Sequence, residues 1–226
     1  MRAGHIKEFV CICISVVMTM VKGLAQTGTD KVYAALDECG RGCLAGDVYC
    51  AAVIWNPLLD DPRVGLIKDS KKLSVGARKE LAEFIKENAI DYCVAAVDVA
   101  TIDRVNILNA TMIGMHRALD GLDIEFDHIL VDGNRFKPYH KVPHTCVVKG
   151  DDTYVAIAAA SILAKVARDD YMAALGAEEG MGVYGWDSNA GYGTPVHMEA
   201  LNKYGPSKHH RMSFAPVAAA IQKLIV

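Results

Sequence analysis

The sequence predicts a mixed α/β fold: one five-stranded sheet flanked by helices, with a helical C-terminal extension. Three observations predict it. Five short apolar runs along the chain read as strands. The first two follow each other across a glycine turn, which suggests a hairpin. The later ones alternate with stretches of helical period, so helices should cover both faces of a sheet with mixed strand directions. With 226 residues, 52% of them hydrophobic, the chain can bury one sizeable core or two small ones. No internal repeat or low-complexity run divides it.

Taken in order, Val32 to Asp37 is the first strand and Val48 to Trp55 the second. Pro57 and Pro62 mark the loop from Asn56 to Lys68. Ser74 is positioned to cap a helix over Val75 to Asn88, where Leu81, Phe84 and Ile85 recur at helical spacing. Tyr92 to Val97 is the third strand, and Thr101 to Leu119 one or two helices. His128 to Val131 and Thr145 to Val148 are the last strands. They end in Asp132-Gly133-Asn134 and Lys149-Gly150-Asp151-Asp152. Ile157 to Leu175 is a long alanine-rich helix, and Gly176 to Pro195 a glycine-rich loop. A short helix over Val196 to Tyr204, a basic histidine-rich stretch from Pro206 to Phe214 and an apolar helix over Val217 to Val226 complete the chain.

The N-terminus stands apart. Phe9 to Val21 is an apolar run with Arg2 and Lys7 before it and Lys22 after it. It is too short to span a bilayer comfortably. Gly23-Leu24-Ala25 gives it the outline of a secretory signal. We read residues 1–30 as a dispensable extension rather than an export signal, and residues 31–226 as one domain ending in a helical segment from about residue 196. Seven cysteines, an odd number with no pair of C-x-x-C motifs, argue against a disulfide framework or a zinc site. Reduced thiols in a cytoplasmic monomer without a membrane partner are the expectation.

Formal net charge is −3, from 24 basic and 27 acidic residues, which excludes a constitutively basic nucleic-acid coat protein. It does not exclude a nuclease, because bound cations offset an acidic centre. Such a centre is legible. Asp37 and Glu38 end the first strand. Adjacent acids repel and lose solvation, an arrangement that calls for a cation. Asp132 and Asp151 follow two other apolar strands. Singly, each acid reads as a turn residue. Together, at the ends of neighbouring strands, they read as a metal centre. Oxygen donors suit a hard cation, Mg2+ or Mn2+, and two such ions roughly 4 Å apart are the usual machinery of phosphodiester cleavage.

Other residues surround this centre. Gly40 and Gly42 leave the backbone bare beside Arg41, so a phosphate could approach closely. Lys71 and Lys72 follow Ser70 just ahead of a helix, where they are either a solvated charge pair or phosphate ligands. Lys165 and Asp169 stand at i,i+4 and read as an intrahelical pair. His197 reads as structural, near Tyr192; His209 and His210 with Arg211 read as backbone contacts or packing.

The chain resembles a known family. The motifs are Asp37-Glu38-x-Gly40-Arg41-Gly42 with Leu44-Ala45-Gly46, then Asp69-Ser70-Lys71-Lys72-Leu73. Asn106-Ile107-Leu108-Asn109-Ala110, Val131-Asp132-Gly133-Asn134 and Lys149-Gly150-Asp151 follow. Ile157 to Asp169, Gly191-Tyr192-Gly193-Thr194 with His197, and His210-Arg211-x-Ser213-Phe214 complete the order. In this order they resemble ribonuclease HII over roughly residues 32–217. The resemblance implies an RNase H-like fold and divalent-metal cleavage of the RNA strand of RNA–DNA hybrids. It also implies incision 5′ of a ribonucleotide embedded in duplex DNA. It assigns catalysis and two metal ions to Asp37, Glu38, Asp132 and Asp151, with spacing to Ser161 selecting Asp151 over Asp152. Gly40, Arg41, Gly42, Lys71, Lys72 and Tyr192 become substrate-binding residues. Tyr192 would read the ribose–deoxyribose junction, by ring packing on the next sugar or by a bond from its phenol to the 2′-hydroxyl.

There are departures. Cys39 stands where the family usually has alanine, Ala190 where a lysine is common, and Met212 where a basic or polar residue is frequent. The last two remove possible phosphate contacts. Two rival classes are a resolvase or integrase relative on the same fold, and a binder that has lost activity. The first lacks the glycine-arginine-glycine turn; the presence of all four acids argues against the second.

Overall fold

The computed structural model describes residues 24–68 and 70–225. The apolar N-terminal run, Asp69 and Val226 lie outside the described residues. Five strands form one sheet in the order β3-β2-β1-β4-β5. They are β1 (Tyr33–Cys39), β2 (Val48–Ile54), β3 (Asp91–Val97), β4 (His128–Asp132) and β5 (His144–Val147). β1 pairs antiparallel with β2, and β2 with β3; β1 pairs parallel with β4, and β4 with β5. The mixed sheet expected from the sequence is therefore present, and its central strand carries the acidic pair.

Pleating divides the sheet residues between two cores. Ala35, Val53 and Leu130 face α1 (Val75–Asn88) and α4 (Val155–Gly176). Ala34, Leu36, Ile129 and Val131 face α3 (Ile107–Asp120), with Met112 and Met115 above them. The run Ala158-Ala159-Ala160 in α4 is fully buried, and its small side chains let the helix lie close on β1 and β2. Ser74 caps α1 by accepting from the Ala77 amide. The helical stretch read as one or two helices is two. α2 (Val99–Val105) stops where Asn106 adopts φ 68°, and the Asn106 side chain then caps α3 by accepting from the Asn109 amide.

Two details differ from the sequence reading. Leu24 and Ala25, read as part of the extension, are docked. Leu24 packs on the α4 core, the Ala25 amide donates to the Thr153 carbonyl at 2.7 Å, and the Val155 amide donates to the Ala25 carbonyl at 3.0 Å. No side chain caps α4, so this carbonyl satisfies one of its free amides. The glycine-rich loop is also not featureless. It holds a 3-10 turn, Gly182–Tyr184, and a one-turn helix α5 (Trp186–Asn189), both ahead of α6 (Pro195–Tyr204) and α7 (Ala215–Ile225). Trp186 and Tyr184 are almost fully buried and stack with centroids 5.1 Å apart. Two aromatic anchors thus order a stretch whose glycines suggest a loop. Among the described residues no helix is long and apolar enough to cross a membrane, and Cys39, Cys43, Cys50, Cys93 and Cys146 are free thiols.

Beside Trp186 lie two fully buried histidines whose tautomers the geometry defines. His197 Nδ1 is 2.9 Å from the Tyr192 carbonyl, so it carries the proton and donates. His197 Nε2 must then accept, and it does so from the Trp186 indole at 3.2 Å. His210 Nδ1 accepts from the Ser207 amide at 2.9 Å, so His210 Nε2 is the protonated nitrogen and donates to His197 Nε2 at 3.0 Å. Both rings are neutral and neither can add a proton without losing an acceptor. Burial, with the adjacent His197 ring, holds His210 down to about 3, and burial also lowers His197. In the unfolded chain these rings take up protons near the ordinary histidine value of about 6.5. Stability from the pair is therefore complete above that value and falls as pH drops toward 3. We expect the urea midpoint to decline between pH 6.5 and pH 4, at up to ~1.4 kcal/mol per unit per histidine. His210→Gln, less stable at pH 7, should show a flatter decline; equal slopes in both proteins would refute the assignment.

Candidate metal and nucleic-acid site

Because β1 and β4 are parallel neighbours, both deliver their last residues to the same sheet edge. Leu36 pairs with Val131, so Asp37 and Asp132 are each one residue further along. Asp132 is in register with Val147 at the end of β5. The chain then closes into the 3-10 turn Gly150–Asp152. There the Gly150 amide donates to Asp132 Oδ1 at 2.7 Å. Gly150 permits that approach, since a Cβ would stand 2.6 Å from Ile157 Cδ1. Asp151 is the next residue and is thereby tethered to Asp132 through its neighbour.

The adjacent carboxylates straddle the sheet. Asp37, 5% exposed, turns toward α4, where the nearby Ser161 hydroxyl favours its charged form. Its Oδ1 also accepts from the Glu38 amide at 2.7 Å. Glu38 turns toward α3 and shares a small cavity of about 70 Å3 with Asp132, Thr111 and Arg41. Burial, then the charges of Glu38 and Asp132, hold the Asp37 carboxyl well above the usual carboxylate range. Burial also raises Glu38, against the pull of Arg41, whose Nη1 lies 3.0 Å from Glu38 Oε1. Asp132 raises Glu38 further and Lys71 opposes. Negative charge is thus packed beyond what Arg41 and Lys71 relieve. The donors are carboxylate oxygens, the set a hard divalent cation prefers, so the residues present fit such an ion. Among the described residues no three His, Cys, Asp or Glu side chains stand close enough to form a ready-made cage. The charges of Glu38 and Asp132 both bear on Asp37, and Asp151 follows Gly150, whose amide holds Asp132.

Lys71 is placed by a buried relay. Ser161 Oγ lies 3.0 Å from Ser70 Oγ. Arg78 donates to the Ser70 carbonyl at 2.9 Å and the Leu73 carbonyl at 3.0 Å, and pairs with Asp169 at 3.1 Å. Asp169 also takes Lys165 at 2.6 Å, the i,i+4 pair read from the sequence. The backbone around Lys71 is therefore bolted to α4 while Lys71 itself is exposed and within electrostatic range of Glu38. The side chain of Lys72 lies outside the described part of the chain.

The glycine turn is held from beneath. Gly40 has φ 96°, and a Cβ there would sit 2.0 Å from Arg168 Nε, so only glycine fits. Gly42 is different: a Cβ there meets nothing within 4 Å. Its glycine is not demanded by the chain's own packing. Arg168 is 0% exposed and donates to three carbonyls, Asp47 at 3.0 Å, Ala190 at 2.8 Å and Ala45 at 3.0 Å. Arg211, equally buried and pushed by burial to about 10, donates to Gly46 at 2.9 Å, Arg41 at 3.1 Å and Asp47 at 3.3 Å. The Leu44 amide donates to the Gly191 carbonyl at 2.8 Å. A Cβ on Gly191 would be 2.7 Å from the Ala45 oxygen. The loop carrying Tyr192 and the turn carrying Arg41 are consequently one rigid unit.

Tyr192 is 40% exposed. Its ring has Lys165 Nζ 5.9 Å from the centroid, and burial, with the neighbouring Cys43 and Cys39 thiols, pushes its phenol up. Sequence reading used Ser161 only for its spacing and did not find which carbonyls Arg168 and Arg211 hold. Their signals, an arginine in an apolar helix and a basic stretch read as backbone contact, become specific only when the loops meet.

The ribonuclease HII family model matches residues 34–217. A ribonuclease HII of Christiangramia forsetii is 50% identical over 186 residues, 82% of this chain and 91% of that protein. The ribonuclease H2 structure from Pyrococcus horikoshii superposes with TM-score 0.70 at 24% identity, over 85% of this chain and 98% of that one. A Bst-RNase HIII structure in complex with Mn2+ superposes at 0.63 and 22% identity, over 84% of this chain and 69% of that one.

Removing the Arg168 guanidinium would strand three buried carbonyls. Arg168→Met should cost at least ~3 kcal/mol in urea unfolding, since each unsatisfied group costs about 1–3 kcal/mol. Arg168→Lys should recover less than half of this, because one ammonium cannot reproduce a planar fork. A lysine variant as stable as the parent would show that the fork is dispensable.

Proposed function

The chain belongs to the ribonuclease HII family, and we propose that its sheet edge cuts the ribonucleotide-containing strand by two-ion hydrolysis at Asp37, Glu38, Asp132 and Asp151. It is an endoribonuclease that cleaves RNA in RNA–DNA hybrids and at embedded ribonucleotides, and it depends on a divalent metal. The observation that best supports the acid assignment is the convergence of Asp37 and Asp132 at one end of the sheet, one residue beyond the paired Leu36 and Val131, where the charges of Glu38 and Asp132 both bear on Asp37. Two Mg2+ or Mn2+ ions bound there would help ionise the attacking water and stabilise the leaving 3′ oxygen. The products are then a 3′-hydroxyl and a 5′-phosphate.

The chain's own groups do the rest. Asp37 Oδ1 is held by the Glu38 amide, which leaves its other oxygen for a cation. Asp132 is likewise locked by the Gly150 amide. Arg41 balances Glu38, and with a cation held by Glu38 its guanidinium would be available to the adjoining phosphate. Lys71 supplies a second cation on the same side. Gly42, open above its Cα, admits a sugar–phosphate where a side chain would stand. The half-exposed Tyr192 ring offers a face on which a sugar can pack, which supports ring packing as its role. The free thiols among the described residues support a reducing, cytoplasmic setting.

An incision assay on a DNA duplex holding one ribonucleotide, with Mg2+ or Mn2+, tests the activity. Asp132→Asn keeps size and removes charge, and should slow incision by about a hundredfold or more, roughly 2.7 kcal/mol of barrier. Normal cleavage by that variant would sink the assignment. Tyr192→Phe should retain junction incision within about threefold, whereas Tyr192→Ala should lose it by more than about tenfold. Equal losses in both would transfer the role from the ring to the hydroxyl.

A further inference from the structure

Two motifs at this edge have no role in the scheme above: Asn106–Ala110, at the start of α3, and Asn134 with the residues after Asp132. The fold brings them together. Between α3 and the β4–β5 connection lies an open cavity of about 430 Å3, lined by Leu108, Met112 and Phe136 on its apolar side and by Arg135, Lys137 and His144 on the other. It is continuous with the smaller cavity that holds Glu38 and Asp132, since Leu108, Met112, Asn134 and Arg135 line both. Its volume falls within the range of about 300–1,000 Å3 typical of small-molecule sites.

The cavity is preformed. Lys137 Nζ donates to Asn109 Oδ1 at 2.8 Å, and the Lys137 carbonyl lies 3.0 Å from His116 Nε2. Phe136 packs edge-on between the His116 and His144 rings, at 5.4 Å and 5.1 Å. The connection is thereby pinned to α3 along its length. No carboxylate lines the cavity. Arg135, exposed at the junction of the two cavities, makes no hydrogen bond or ion pair with any described residue. An unpartnered guanidinium beside an apolar, aromatic-walled hollow fits a ligand that is anionic at one end and flat at the other.

We propose that this cavity seats a nucleotide of the substrate adjoining the scissile phosphate, with Arg135 gripping its phosphate and Phe136, Leu108 and Met112 packing against its sugar or base. The inference rests on the ribonucleotide-incising activity proposed above and extends it. The cleaved strand must continue past Asp132, and the continuous groove leads from the acid edge into a site of opposite charge. Arg135 then serves binding rather than chemistry, because the reacting phosphate lies at the acids.

The test is binding of a fluorescein-labelled DNA duplex with one ribonucleotide, followed by anisotropy with Ca2+ replacing the catalytic ion. Arg135→Glu should raise Kd at least about tenfold, and Arg135→Lys should stay within about threefold of the parent. Arg135→Ala should lower the slope of log Kd against log salt by about 0.9, the signature of one lost phosphate contact. In incision, KM should rise while kcat changes less than about twofold. Cys146 also lines the cavity, so the duplex should slow its alkylation by iodoacetamide, read by peptide mass spectrometry. A parent protein that fails to incise would defeat the proposed function itself. A parent that incises, with Kd and salt slope unchanged in the Arg135 variants or with Cys146 alkylated equally in the presence of duplex, would overturn the nucleotide seat alone.

Discussion

Two buried guanidinium groups hold the substrate-facing side of this protein together. Arg168 and Arg211 are both fully buried, and they donate to backbone carbonyls of the segment from Arg41 to Asp47 and of Ala190. A charge out of water is tolerable only when its donors are satisfied, and carbonyls on several sides of a planar fork satisfy them. The arrangement works in both directions. Loops of bare backbone cannot be buried without donors for their carbonyls. The arginines supply those donors, and the loops become walls.

That rigidity matters because of what stands beside it. The acid edge concentrates charge at the end of the central strand, and burial makes each carboxylate costly. Arg41 and Lys71 relieve this incompletely, and the deficit is what a divalent cation answers. Around the edge the groups are held by others: Asp37 by the Glu38 amide, Asp132 by the Gly150 amide, and the Tyr192 loop by His197 and the Leu44 amide. A site that must orient phosphate and sugar gains from supports that do not themselves touch substrate.

The C-terminal segment is part of the same construction. His210 precedes Arg211 in sequence, and it reaches His197, which in turn holds the Tyr192 carbonyl. A chain of neutral rings therefore links the C-terminal segment to the loop that carries Tyr192. The departures at Ala190 and Met212 fall on this framework. Ala190 adopts φ 47°, and its carbonyl is one of the three that Arg168 holds. The position keeps a structural role through its backbone although its side chain offers no cation.

Read alone, the residues determined the strands, the caps of α1 and the acids at strand ends, because these signals are local. Pleating has a period of two, a capping side chain reaches two or three amides, and a turn announces itself by glycine. The motif order likewise identified the family, since it is a property of the linear chain. The tertiary structure decided the rest. Arg168 and the Asp47 carbonyl are 121 residues apart, and Arg211 and Arg41 170 apart. The seating of the Tyr192 loop against the Arg41 turn and the hollow beyond Asp132 depend on such distant contacts. A buried arginine and a solvated one have the same letter, and only packing decides which carbonyls surround it.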